Sequence, residues 1–339
     1  MTAGQGILEA LYRAAGESVR GSDLARRLAV PAARVAAEVT KLEALGFVIE
    51  SHPHHGYRLV GAPDRLLADD LLARLASLES KSKKRLIGSE IRVLEETSST
   101  NDEIERMLGA DVETESGAAA SEGMTVFAEH QTRGRGRHGR RWASPRGKGL
   151  WFSVLLRPAW PPSAAPRTTV AASVAVVRAL RELSGVDARI KWPNDVMVGG
   201  KKLAGILTEL RVEGGEIRTA ILGIGMDVNC QRKDFPTELA DTVTSVRLET
   251  GRPQDRAELA ARVLAALDEW YAAALTDFGK VTDEWARWST TLGRQLVVTV
   301  GTRRIEGLAH ALDGDGALLF RKDNGQIERI WGGDAVVEK

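Results

Sequence analysis

Hydrophobic residues near the amino terminus recur at helical spacing in three segments and then alternate in two short runs. The alternating runs, 47–50 and 57–60, flank a His-Pro-His-His-Gly turn and predict a β-hairpin. We expect Ser22 to cap the second helix and Gly46 to end the third. The pattern predicts a winged helix-turn-helix over residues 1–61, with its two central helices lying between Gly21 and about Thr40. The helical positions are Ile7, Leu8, Leu11 and Tyr12, then Leu24, Ala25 and Leu28, then Val35, Val39, Leu42 and Leu45.

The next two segments have different patterns. Leucines between positions 66 and 78 repeat at helical spacing, so residues 62–84 are expected to form a linker helix. Residues 85–290 mix predicted strands with predicted helices, which is typical of an α+β domain with a mixed sheet. The strands are expected at 125–129, 151–156, 196–198 and 202–208, and the helices at 168–183 and 256–274. Residues 109–123 lack periodicity and are expected to form an exposed loop.

The carboxyl-terminal segment, residues 291–339, is rich in short strands. They are expected at 296–300, 304–308, 317–320 and 327–331, with glycine-containing turns between them. Such spacing predicts a small SH3-like β-barrel. The whole chain is therefore expected to be an α/β multidomain protein with a DNA-binding domain, a linker, a catalytic domain and a small terminal domain.

Composition narrows the class of protein. The 339 residues carry a net charge of +1, with 43% hydrophobic and 27% charged residues, which is an ordinary globular balance. The single cysteine, Cys230, excludes an intramolecular disulfide and fits a reducing compartment. The sequence lacks a run of about 18 apolar residues, and its start does not resemble a signal peptide. We therefore expect a cytoplasmic protein without a membrane partner.

The segment 131–142, from Gln131 to Trp142, alternates glycines with arginines. Glycines allow the backbone to approach a ligand, successive N–H groups bind anions, and arginines donate forked hydrogen bonds to phosphate or carboxylate. Trp142 adds a flat apolar face. The pattern predicts a loop that binds a phosphate beside a ring. A solvated surface loop and a disordered RNA-binding tract remain as alternatives.

Three further segments are candidates for ligand binding. Lys191 precedes Trp192-Pro193-Asn194-Asp195 at a predicted strand end, a rigid position for a cation, although a lone lysine is usually a surface residue. The run from Thr97 to Asn101 precedes a predicted helix and holds more polar groups than one N-cap needs. The segment 223–229 places Gly223 and Gly225 near a strand end, where glycine permits close approach.

Taken together, these segments resemble the biotin–protein ligase family. The glycine-arginine loop ending in Trp142, the run starting at Lys191 and the segment Lys-Leu-Ala-Gly-Ile-Leu at 202–207 are its distinctive marks. The predicted winged helix is similar to that of the bifunctional ligase–repressors. The resemblance implies that ATP activates biotin to biotinoyl-5′-AMP, and that the biotin then passes to a lysine of a biotin carboxyl carrier protein, a subunit of acetyl-CoA carboxylase.

The resemblance also implies roles for particular residues. Lys191 and Arg137 would be catalytic, with Lys191 contacting the biotin carboxylate and the phosphoryl oxygens. Mg²⁺ is expected with the ATP phosphates rather than in a dedicated metal site. The loop 131–142 is expected to be mobile when empty and ordered when loaded. The residues implied in binding biotin or biotinoyl-AMP are Ser99, Thr100, Asn101, Gln131, Arg135, Gly136, Arg137, Trp142, Lys191 and Gly205.

The implied partners are the carrier protein, an operator DNA and, with biotinoyl-AMP bound, a second copy of the chain. Arg34 and Lys41 are the candidate DNA contacts, but the recognition helix is rich in alanine. Asp227 stands where many members of the family have asparagine, and we assign it no role. Two alternatives stay open: a ligase whose winged helix does not bind DNA, and a repressor that senses biotinoyl-AMP without catalysis. A lipoate–protein ligase is disfavoured, because its arginine-glycine signature is not found.

Overall fold

The computed structural model describes residues 1–78, 85–110 and 120–337. Its amino-terminal part has three helices and an antiparallel hairpin, as predicted. The prediction that Ser22 caps the second helix is wrong: the helix already begins at Gly21, and the cap position is Arg20, whose side chain makes no capping hydrogen bond. These elements are α1 (Ala3–Arg13), α2 (Gly21–Leu28), α3 (Ala32–Ala44), β1 (Val48–His52) and β2 (Gly56–Gly61).

The predicted connecting helix is α4 (Ala68–Ser77). Its Ala73 packs into the core of the amino-terminal helices, whereas Leu71 and Leu75 belong to the core of the central region. One short helix thus contributes apolar side chains to two separate cores. The predicted domain boundaries remain predictions.

The central region contains a seven-stranded mixed sheet in the order β3-β4-β5-β9-β8-β7-β6. β3 and β4 are parallel and the other neighbours are antiparallel. The predicted strands and both long helices are present. In chain order the elements are β3 (Ile91–Leu94), α5 (Thr100–Ala110), β4 (Thr125–Ala128), β5 (Gly149–Leu156), α6 (Pro166–Ser184), β6 (Arg189–Lys191), β7 (Asp195–Val198), β8 (Lys201–Glu213), β9 (Glu216–Asp227), α7 (Val246–Thr250), α8 (Arg256–Thr276) and α9 (Phe278–Trp288).

The two faces of this sheet differ because side chains alternate along each strand. Phe152, Ile206 and Ile224 lie on one face and join the main hydrophobic core, which α6 and α8 complete. The opposite face is only partly covered by α5, whose Ile104 packs with Leu155 in a small separate core. This second face, called the open face below, carries α5 at one end and the Trp142 side chain over Gly205 and Gly225.

The carboxyl-terminal region forms a five-stranded antiparallel sheet in the order β13-β12-β11-β10-β14. The prediction of a barrel is corrected here, because the two outer strands are not hydrogen-bonded to each other in the described residues and closure requires that pairing. The last strand, not predicted, pairs with β10 instead. The strands are β10 (Gln295–Val300), β11 (Arg303–Leu312), β12 (Leu318–Arg321), β13 (Ile327–Ile330) and β14 (Asp334–Val337).

Within the described ranges, every helix is too short or too polar to cross a membrane. Much of the predicted loop at 109–123 lies outside the described residues. Its last residues, from Ala120, lead into β4.

Candidate active site

A pair of glycines forms a flat floor on the open face of the central sheet. Gly205 of β8 and Gly225 of β9 lie directly opposite each other. A Cβ atom on Gly225 would lie 2.7 Å from Nε1 of Trp142, and one on Gly205 would lie 2.9 Å from Cζ3 of the same indole. Side chains larger than hydrogen are therefore excluded under Trp142, which packs against the two backbones. This contact places the end of the glycine-arginine loop against the glycine-containing strands.

A lysine also lies above the glycine floor, and it is Lys202. Its Nζ is 5.2 Å from the centre of a Trp142 ring and 2.6 Å from Oδ1 of Asp195. It is also 3.2 Å from the position that a Cβ on Gly205 would occupy. Trp142 gives a cation a favourable aromatic neighbour, and Asp195 partly balances its charge.

The predicted lysine, Lys191, is further away. It ends β6, the outermost strand, and β7 lies between it and β8. Lys191 is paired with Asp195, which is paired with Gly205, so its side chain is on the open face. In the sequence, Lys202 is assigned to a hairpin strand and to the family mark at 202–207, but no role in ligand binding is assigned to its side chain. Its position three residues before Gly205 is the signal that could have identified it.

A second cluster, the polar cluster, joins α5 to the sheet and to the loop. The Thr100 N–H donates to Oε1 of Gln131 at 2.9 Å, and the Thr100 hydroxyl lies 2.6 Å from that of Ser153. Ser153 donates to Oδ1 of Asn101 at 2.5 Å, and Nε2 of Gln131 donates to the Ser144 hydroxyl at 2.9 Å. Four of these residues are buried, Gln131 being partly exposed. They can exchange both donors and acceptors with a polar ring.

Gly223 makes room for this cluster, since a Cβ there would lie 2.5 Å from Oδ1 of Asn101. The structure therefore brings together Thr100, Asn101 and Gln131, three of the residues implied in biotin binding, and adds Ser153, which sequence reasoning missed. Ser153 sits inside an otherwise apolar strand, and that interruption is the signal that could have identified it. The predicted Ser99 is buried, and its carbonyl accepts the Glu103 N–H.

Arg135 lies beside the polar cluster between two carboxylates. Its Nη2 is 2.8 Å from Oε2 of Glu209, and its Nη1 contacts Asp102. The same Glu209 oxygen accepts from Nδ2 of Asn101 at 2.6 Å. The charge of Arg135 is thus balanced by the protein, so this side chain shapes the pocket wall and adds little net positive charge.

Arg137 lies where the central region meets the carboxyl-terminal sheet. Its Nη1 donates to Oδ1 of Asn194 at 3.2 Å and to the Gly333 carbonyl at 3.4 Å. The preceding Gly136 donates its N–H to the Arg140 carbonyl at 2.7 Å, which tightens the loop around Arg137. A pocket opens next to Arg137, lined also by Thr169, Trp192, Asn194, Leu207 and Trp331.

Asp227 is buried on the open face at the end of β9. Burial raises the pKa of its carboxyl group to about 8, opposed by the Cys230 thiol, which donates to Oδ1 at 3.4 Å, and by the nearby charge of Lys202. The carboxyl group is therefore largely protonated at neutral pH. A protonated Asp227 has nearly the shape of an asparagine side chain and offers one hydrogen-bond donor, where the amide offers two.

The surface of α3 presents two cations that are already paired. Arg34 and Lys41 lie 2.8 and 3.0 Å from the same Glu38 carboxylate oxygen. Both were the predicted DNA contacts, and Glu38 lowers the net charge that this helix offers to a phosphate backbone.

Sequence models of two families match the chain. The Biotin/lipoate A/B protein ligase family matches residues 93–227, and the Biotin protein ligase C terminal domain matches residues 291–337. The first match spans the polar cluster, the loop and the glycine floor. The second spans the terminal sheet.

Individual relatives match over most of the chain. It is 31% identical to the Bifunctional ligase/repressor BirA of Bacillus subtilis over 97% of this chain and 96% of that one. Its identity to the protein of the same name from Escherichia coli is 29%, over 94% and 92% of the two chains. Among solved structures, the biotin protein ligase from Aquifex aeolicus in complex with biotin and ATP superposes with a TM-score of 0.61 at 27% identity, covering 74% of this chain and 99% of that one.

Proposed function

The chain belongs to the biotin–protein ligase family, and we propose that it joins biotin to a lysine of a biotin carboxyl carrier protein in two steps. The observation that carries this proposal is the open sheet face, where the polar cluster, the glycine floor with Trp142 and the Lys202 ammonium group lie side by side. A polar ring, an adenylate and a carboxylate would each find a matching surface there.

The first step joins two anions. A carboxylate oxygen of biotin attacks the α-phosphorus of ATP, the bond to the β-phosphate breaks, and pyrophosphate leaves. In the second step the lysine amine of the carrier attacks the acyl carbon of biotinoyl-5′-AMP, AMP leaves and the amine loses a proton. Positive charge in a site partly shielded from water offsets the repulsion of the first step and stabilises the charge that develops on phosphorus.

The polar cluster is the proposed site of the biotin ureido ring. The ureido ring has one carbonyl, which accepts hydrogen bonds, and two N–H groups, which donate them. The protein must therefore supply both donors and acceptors, and the polar cluster does so through Thr100, Asn101, Ser153 and Gln131. We expect the site to reject a ring that lacks these groups, because the buried side chains of the polar cluster would then lose their hydrogen bonds.

Lys202 is the proposed cation for the carboxylate and the α-phosphate. It lies beside Trp142, whose indole on the glycine floor offers a flat surface to the adenylate. Arg137, at the boundary with the terminal sheet, is proposed to assist from the other side. Lys191 keeps a supporting role in this proposal, on the open face but beyond β7.

To test the proposal, the chain is incubated with ATP, Mg²⁺, biotin and a carrier domain. The mass of the carrier domain is then measured by mass spectrometry. We expect one added biotinoyl group with biotin and none with lipoate. The variant Lys202→Ala should reduce the rate by about 100-fold or more, since an electrostatic contact to the transition state is removed. Lys201→Ala, at the neighbouring position, is the matched control. Loss of activity in Lys191→Ala but not in Lys202→Ala would refute the assignment of the cation.

Mg²⁺ is expected to enter with the ATP phosphates. Among the described residues, no group of three or more His, Cys, Asp or Glu side chains is arranged to hold a metal ion. Mg²⁺ is proposed to be held by the phosphate oxygens and water, with few protein ligands.

A second proposed function is repression of biotin genes through DNA binding. Three helices and a β-hairpin precede the ligase region, which is the arrangement of a winged helix-turn-helix, and the bifunctional relatives match this segment too. A homodimer formed with biotinoyl-AMP would match a two-fold operator. Gel shifts at several salt concentrations, with and without biotin and ATP, test this: binding should strengthen with ligand and weaken with salt. If no DNA binding is seen either with or without biotin and ATP, the result would favour a ligase whose winged helix does not bind DNA.

A further inference from the structure

Arg256 is a buried cation that the proposed mechanism does not use. It begins α8, and its side chain is only 1% exposed. Its guanidinium donates to Glu129 at 2.7 and 3.2 Å, to the Gly149 carbonyl at 3.3 Å, and to Asp64 at 2.8 and 3.1 Å. A planar group with five donors satisfies all of these acceptors at once, which a lysine ammonium cannot do.

Two of these partners, Glu129 and Gly149, lie in the stems of the loop 131–142, the segments that lead into and out of it. Glu129 stands two residues before Gln131, and Gly149 begins β5 on the far side of the loop. The Gly147 N–H donates to the Glu129 carbonyl at 3.1 Å, so the stems also bind each other. Arg256 therefore sets where the loop that carries Gln131 leaves and re-enters the sheet.

The third partner lies in the connector between β2 and α4. Asp64 belongs to this connector, and the N–H of Leu66 donates to Oε1 of Glu129 at 2.7 Å. The Glu129 carboxylate is thus shared between Arg256 and the connector that leads to the amino-terminal helices. Neither Asp64 nor Leu66 belongs to the polar cluster or the glycine floor.

From these contacts we propose that Arg256 is a positioning residue of the biotin site: it holds both stems of the loop 131–142, and thereby the Gln131 carboxamide, in register with the connector from the amino-terminal domain. The proposal rests on the proposed ligase function. Gln131 accepts the Thr100 N–H, so a shift of its stem alters the polar cluster directly. An effect on ground-state binding of biotin raises KM while leaving kcat largely intact.

The test uses the full chain and three variants, Arg256→Lys, Glu129→Gln and Asp64→Ala. The matched control is Arg92→Lys, because Arg92 pairs with Glu90 at 3.0 Å on the exposed surface. For each protein, KM for biotin, kcat, the equilibrium affinity for biotin alone by calorimetry, and Tm are measured. We expect the KM for biotin to rise about tenfold in Arg256→Lys and Glu129→Gln, as for loss of a hydrogen bond to a charged group, with kcat within about threefold. Asp64→Ala should raise KM by about two- to threefold.

A lower Tm with unchanged biotin affinity in the variants would overturn the proposal and leave Arg256 a purely structural residue. If Arg256→Lys does not fold, Asp64→Ala decides, because the Asp64 side chain is 57% exposed and outside the site. An unchanged KM in that variant and in Glu129→Gln would also overturn it. Failure of the proposed function looks different: the unsubstituted chain would then transfer no biotin and bind none in the calorimeter.

Discussion

Replacing Asp227 by asparagine is expected to stabilise the protein, and to do so increasingly as the pH rises. Burial raises the pKa of this carboxyl group from 3.8 to about 8. Between these values the folded chain keeps a proton that the unfolded chain has lost, so folding stability falls as the pH rises. Each pH unit in this range lowers the free energy of unfolding by about 1.4 kcal/mol. Above pH 8 the total loss of stability therefore has an upper bound of about 6 kcal/mol. Relaxation around the carboxylate reduces this, and a gain of about 1–3 kcal/mol is expected for Asp227→Asn at pH 8.

The assay is urea-induced unfolding of the unsubstituted chain and Asp227→Asn at pH 5 and at pH 8. An asparagine oxygen can still accept from the Cys230 thiol, so the contact at 3.4 Å is retained. Asp241→Asn, on an exposed loop, is the matched control and should change stability little at either pH. The reasoning is refuted if Asp227→Asn changes stability equally at both pH values, or if it destabilises the protein at pH 8.

Three further predictions concern the site and the amino-terminal helices. Gly225→Ala should displace the Trp142 indole and lower the rate of biotin transfer by about tenfold or more, because the new methyl group would lie 2.7 Å from that ring; a normal rate would contradict the glycine floor. Glu38→Gln should free two cations of α3 and strengthen DNA binding at low salt, and gel shifts with an unchanged salt dependence would contradict this. Arg137→Gly should release biotinoyl-AMP faster, measured by chromatography of the free intermediate, and an unchanged release rate argues against shielding by the loop.

Local patterns determined much of this molecule. Helical spacing in residues 7–45 and alternation in residues 47–60 predicted the first helices and the hairpin, because amphipathic periodicity is a property of neighbouring residues. The glycine-arginine loop and the polar run before α5 were also found from the sequence. The residue types in a short segment indicate the chemistry of that segment without knowledge of how the rest of the chain folds.

Strand pairing and contacts between distant segments decided the rest. Lys191 was singled out because it ends a predicted strand just before a turn, whereas Lys202 lay inside a predicted strand. The order β9-β8-β7-β6 places Lys202 beside Trp142 and Lys191 beyond β7. The terminal sheet is open because β14 pairs with β10 and not with β13, the other outer strand. The sequence alone likewise left the contact of Arg256 with Asp64 unseen, because these residues are 192 positions apart. Such contacts depend on the packing of whole elements, and this packing is a property of the tertiary structure.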